Sequence, residues 1–157
     1  MAKTTFSGPV VSNNGFAVSG SGSVVQLAAE DTTLTFNDHA GRIVEVNDAD
    51  GVITLPSITS DTIGAKYTIF IGTNSTSGQI ATDGTDKFVG SLGVAGTTTP
   101  FKVFVPGAAN DQIDFNNGTK GGAAGTLIEF TALATAQYLV QGVSIGSGSV
   151  VTPFAGS

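Results

Sequence analysis

Apolar and polar residues alternate along most of this chain with the period of two that belongs to β-strands. The stretch Ala40–Ile71 shows the pattern most fully. Within it, Arg42 to Val46 sets Val44 and Val46 on one face of a strand and Ile43 and Glu45 on the other. A polar loop, Asn47 to Gly51, then predicts a longer hairpin turn leading into a strand over 52–55. Pro56 stops that strand, because proline has no N–H to give to a ladder. Lys66 to Ile71 is the strongest strand, with Tyr67, Ile69 and Ile71 opposite Thr68 and Phe70.

The same alternation predicts strands over 24–28, 33–36, 42–47, 52–55, 66–72, 78–82, 87–92, 101–105, 112–116, 126–132 and 137–143. No window keeps a 3.6-residue apolar period, and Thr126–Val140 reads as two strands rather than a helix. Short strands at a spacing of roughly 8–12 residues imply an all-β fold: a single-domain β-sandwich or jelly-roll-like barrel. Phe101 to Val105 is apolar and lies between Pro100 and Pro106, which favours the edge of a sheet. An apolar edge strand tends to pair or to be covered, so Phe101, Val103 and Val105 are candidate subunit contacts.

Both ends differ from the middle. Residues 1–23 read as an N-terminal arm closed by the Gly/Ser hinge Ser19-Gly20-Ser21-Gly22-Ser23, residues 24–145 as the β-domain, and residues 146–157 as a C-terminal tail. Phe6, Pro9, Val10, Val11 and Phe16 make the arm too apolar for a free solvated segment, so they are candidate contacts with a partner. The phrase Gly146 to Val151 repeats the hinge composition, which makes the tail a second candidate arm.

Composition narrows the class. The chain has 157 residues, enough for one domain, and 40% of them are hydrophobic against 11% charged, too apolar for a disordered chain. Its 22 glycines are about twice the usual share and suit many short strands joined by turns. With no cysteine there is neither a disulfide framework nor a thiolate metal site. A net charge of −6, with six scattered basic residues, argues against a nucleic-acid partner. No apolar run is long enough for a membrane span, and Met1 to Thr5 leads into no signal-peptide core, so synthesis in a cytoplasm without a membrane partner is expected.

Candidate chemistry reduces to turn chemistry. His39, preceded by Asp38, is the single histidine; neighbours on a strand point to opposite faces, so Asp38 would orient it only from a turn. Gly142-Val143-Ser144-Ile145-Gly146 fits the letters of a nucleophile elbow, but Gly-Ser-Gly follows where a helix is needed and the histidine lies upstream. Asp48-Ala49-Asp50-Gly51 and Asp83-Gly84-Thr85-Asp86 resemble pieces of calcium loops. Aligning Gly51 with the EF-hand glycine places Val46 and Ser57 where carboxylates belong, so Asp bonding its own backbone beside Gly is the expected role, a non-EF site sharing these carboxylates across loops being the alternative. Gly118-Thr119-Lys120-Gly121 reverses the order of a P-loop. The sequons at Asn74 and Asn117 have no secretory route to use them. Neither enzyme chemistry, a metal nor a cofactor is expected.

The order D-x-A-G-R-I-V-x-V, G-V-I-T-L-P-S, I-G-A-K-Y-T-I-F-I and I-x-T-D-G-T-D-K-F-V-G, over Asp38–Gly90, resembles small structural proteins of tailed bacteriophages. It is most similar to capsid decoration (cement) proteins, and the similarity runs from about Phe6 to Val143. The resemblance implies a virion protein on the outer capsid surface that binds the major capsid protein, as a homotrimer, after synthesis in the host cytoplasm. A tail-fibre or receptor-binding β-domain that meets host glycans is the alternative it leaves open.

Overall fold

A computed structural model describes residues 23–28, 30–98 and 101–156. The fold is all-β: two sheets packed face to face around one core. The chain enters as β1 (Val24–Leu27) and β2 (Thr32–Thr33), then makes a one-turn helix α1 (Phe36–His39). β3 (Ile43–Val46), β4 (Val52–Thr54), β5 (Lys66–Ile71) and β6 (Gln79–Ala81) follow, with a 3-10 turn at Ser60–Thr62. The second half supplies β7 (Lys87–Gly90), β8 (Leu92–Ala95), β9 (Lys102–Phe104), β10 (Gln112–Asp114), β11 (Leu127–Ala134), β12 (Gln137–Ile145) and β13 (Phe154–Ala155).

The larger sheet has the order β1-β3-β5-β11-β12-β8-β9, with β7 also on β12; the smaller runs β13-β10-β6-β4-β2. The first six strands alternate between the sheets and pair in parallel, β1–β3–β5 in one and β2–β4–β6 in the other. The first half of the chain is therefore wound as a flattened coil. Its corners stack on one another: Asn47 N–H donates to the Leu27 carbonyl at 3.0 Å, and Gly72 N–H donates to the Val46 carbonyl at 2.9 Å.

This winding corrects the hairpin expected at Asn47–Gly51. β3 and β4 lie in different sheets, and the five-residue loop is a corner between them. Polar residues ending in Gly serve either kind of bend. Gly51 here makes room for the Asp48 carboxylate, and a Cβ would also come 3.3 Å from the Glu30 carbonyl.

Alternation fills the core in registered rows. Ile53, Ile80, Ile113 and Phe154 stand side by side across the smaller sheet. Val44, Ile69 and Ile128 do the same across the larger one, and all seven are buried. Burying each such side chain contributes about 1.5–3 kcal/mol. Tyr138 and Tyr67 meet edge-on with centroids 6.3 Å apart, and the Tyr138 hydroxyl donates to the Pro56 carbonyl at 2.6 Å. Burial holds both phenols above their ordinary pKa, most strongly at Tyr138.

The C-terminal stretch is another correction. In place of a hinged tail, β13 pairs antiparallel with β10, and Phe154 packs against Phe88 at 6.4 Å between centroids. Val150 is buried as well. Pro153 leaves its carbonyl to accept from Asp114 N–H at 2.9 Å. The Gly/Ser run before it is therefore a connection inside the domain. The single strand expected over 87–92 is two, β7 and β8, the second running on to Ala95, and α1 falls on a stretch whose first residue was expected to be strand.

Candidate functional site

Each candidate catalytic group has a structural task. His39 is buried at the end of α1, and its Nδ1 accepts the Thr35 backbone N–H at 2.9 Å. Asp38 accepts from the Thr35 hydroxyl at 2.8 Å, and that hydroxyl also lies 3.3 Å from His39 Nδ1, so both side chains are engaged by the helix cap at Thr35. Ser144 is buried in β12 and accepts the Gly122 N–H at 2.9 Å, which fixes the loop before β11. Asp83 accepts the N–H groups of Thr85 and Asp86 at 2.9 and 3.1 Å, with Gly84 at φ +87 between them. Its second oxygen takes the Ser57 hydroxyl at 2.6 Å, and that bond holds its pKa below the ordinary value. Asp86 accepts Ile58 N–H at 2.9 Å, and burial raises its pKa, with a contribution from the Asp83 charge.

The feature that these tasks leave unexplained is the outer face of the larger sheet. Residues that are cross-strand partners share a face. Following the registers gives one outward row of Gln26, Glu45, Phe70, Leu127, Val143, Gly93 and Val103. At about 4.8 Å per strand the row is roughly 29 Å long. Its polar end is self-satisfied, with Gln26 Nε2 donating to Glu45 at 2.9 Å. From Phe70 onward it is apolar, and Ile145 beside Ala95 continues the apolar area beyond it.

A neighbouring outward row is polar in its middle. Thr68, Glu129 and Gln141 stand together there. Lys66 Nζ lies 3.3 Å from Glu129, whose carboxylate also accepts from Gln141 at 2.8 Å. The middle of that row closes its own hydrogen bonds, while Ile43 and Val24 continue it toward β1 as exposed apolar residues.

The three edge residues named from sequence belong to the apolar part of this face. Among the described residues β9 is the last strand of the sheet, as the flanking prolines imply. Phe101, Val103 and Val105 are 54%, 57% and 71% exposed, while Phe104 turns inward against the core. Leu127, Val143 and Ile145 extend this surface and were missed. Their strands carry apolar residues on both faces, so alternation alone does not say which face is wet. Phe6, Pro9, Val10, Val11 and Phe16 lie outside the described residues.

A monomer seldom leaves so many large apolar side chains contiguous, and such patches rimmed by polar groups mark surfaces that meet another protein. Comparison of the chain with family models, with curated proteins and with solved structures gave no match.

Proposed function

We propose that this chain is a non-catalytic structural protein of a virion: a capsid decoration (cement) protein that binds the outer surface of a tailed-phage head and stabilises contacts between capsomers. One observation carries the binding part of this reading. A cysteine-free sandwich presents the apolar row Phe70, Leu127, Val143 and Val103 on a sheet, where side chains are held in place before any partner arrives. The capsid part rests on the sequence resemblance.

In this reading the face around Phe101, Val103 and Val105 is buried between copies of a homotrimer. The N-terminal segment bearing Phe6, Pro9, Val10, Val11 and Phe16 reaches the major capsid protein. Each such contact is sparse, and three joined arms bind by avidity.

The test is co-sedimentation of the purified chain with expanded, DNA-free heads that lack it, followed by imaging. The expected result is a regular outer array at hundreds of copies per head. Bare heads at saturating protein contradict the reading. A chain found instead at a few dozen copies on tail structures of whole virions indicates the fibre role.

A further inference from the structure

Of the lysine–carboxylate pairs among the described residues, one differs in kind. Glu129 and Asp114 keep 26% and 21% of their side chains exposed, as solvated partners do, whereas the Asp111 side chain is 1% exposed. Its carboxylate is in direct contact with Lys87 Nζ, which also donates to the Gly84 carbonyl at 2.7 Å. Withdrawing a carboxylate from water is costly even when a cation meets it, so this pair has more to gain than the others from losing its charges.

Main-chain bonds hold both residues in place. Lys87 N–H donates to the Ala136 carbonyl at 3.0 Å, and Asp111 N–H donates to the Ala155 carbonyl at 3.1 Å. The Asp111 carbonyl accepts Thr82 N–H at 3.0 Å. Phe88 N–H donates to the Asn110 carbonyl at 2.9 Å, which ties the residue after Lys87 to the residue before Asp111. Groups fixed against one another in this way react at effective concentrations of about 10⁵–10⁸ M.

We propose that Lys87 and Asp111 condense into an isopeptide bond, a covalent link between the two sheets. Lys87 Nζ attacks Asp111 Cγ, and the bond from Cγ to one carboxyl oxygen breaks. Of the three ammonium protons, one stays on the amide nitrogen and two leave with that oxygen as water. No oxidant, reductant or further reactant enters. The product is neutral where the ion pair was charged, and its remaining N–H has the Gly84 carbonyl to donate to.

The link joins β7, in the larger sheet, to the residue before β10, in the smaller, and closes a loop between positions 24 apart. β8 and β9 lie inside that loop with Phe101, Val103 and Val105, so both ends of the segment that carries the apolar edge are anchored. In a chain without cysteine, such a staple forms without an oxidising compartment. It does not depend on the capsid reading.

The test is the intact mass of the purified full chain under denaturing conditions, which separate ions but leave amides whole. Lys87→Arg and Asp111→Ala are the references, each corrected for its substitution; arginine keeps a cation beside Asp111 but does not condense with it. The wild-type chain should be lighter by one water and both variants should carry their full mass. Fragmentation of a digest should then give a branched peptide joining Lys87 to Asp111. A wild-type chain of full mass, freshly purified and after long incubation, overturns the proposal. So does a missing water that maps to a cyclic imide at Asp50-Gly51 or Asp83-Gly84. The wild-type reading decides even where a variant does not fold. No shell enters the measurement, so its failure and the failure of the decoration reading are separately visible.

Discussion

The ring of Phe101 lies over Gly93, in the space that a Cβ at Gly93 would fill. Glycine in a strand interior usually weakens it, but here it lets an aromatic side chain from the neighbouring edge settle onto the sheet. Phe101 is thus both about half exposed and held in place. Ordering an interface side chain on association costs about 0.5–1.5 kcal/mol, and this one is ordered in advance.

Gly93→Ala displaces the ring without straining the backbone. Association between copies should weaken about tenfold, equivalent to 1.4 kcal/mol. The melting temperature should stay within roughly 2 °C, since the ring that moves is the far end of a flexible side chain. Dilution series read by sedimentation velocity, beside thermal melts, check both halves of this expectation.

Phe154 closes the row Ile53, Ile80 and Ile113, so the C-terminal stretch contributes to stability. Phe154→Ala should cost about 3–5 kcal/mol, because it removes a buried ring and leaves a cavity. Thermal unfolding should then begin roughly 10 °C lower. An unchanged melting curve would return this stretch to the status of an external tail.

Asp86 and Asp83 should respond to pH in opposite senses. Burial raises the Asp86 pKa, so the folded state binds its proton more readily than the unfolded chain does. Its contribution is most favourable in acid and is lost as pH rises through the raised value. Asp86→Asn keeps an acceptor for Ile58 N–H, so it should melt higher than wild type at pH 7 and equally near pH 3. Asp83 is lowered by Ser57, so its contribution is present above the ordinary carboxylate range and lost as pH falls. Asp83→Asn should melt lower at pH 7, and the deficit should close in acid. Melting curves of both variants across this range decide the signs.

Strand positions were legible because a half-buried sheet writes a period of two into the chain, and Lys66–Ile71 shows it without interruption. Strand partners were less so. A corner between sheets and a hairpin turn are both polar and end in glycine, as at Asn47–Gly51, and local composition does not state which sheet comes next. Leu92–Ala95 carries an apolar alternation, Leu92 and Val94, that marks it as a strand, but Gly93 and the glycines on either side hide it. For the outer face, prolines flagged the edge at Phe101–Val105. Nothing flagged Leu127, Val143 and Ile145, whose exposure follows only from the pairing of distant strands.

The claim that the apolar part of the larger sheet's outer face is buried between copies is tested most directly by multi-angle light scattering on the wild-type chain and Val103→Asp. The account predicts a wild-type particle of three times the 15.7 kDa chain mass and a folded single chain for the variant, because an unpaired carboxylate is costly to bury in an apolar contact. A wild-type protein that scatters as one chain at every concentration examined would contradict it.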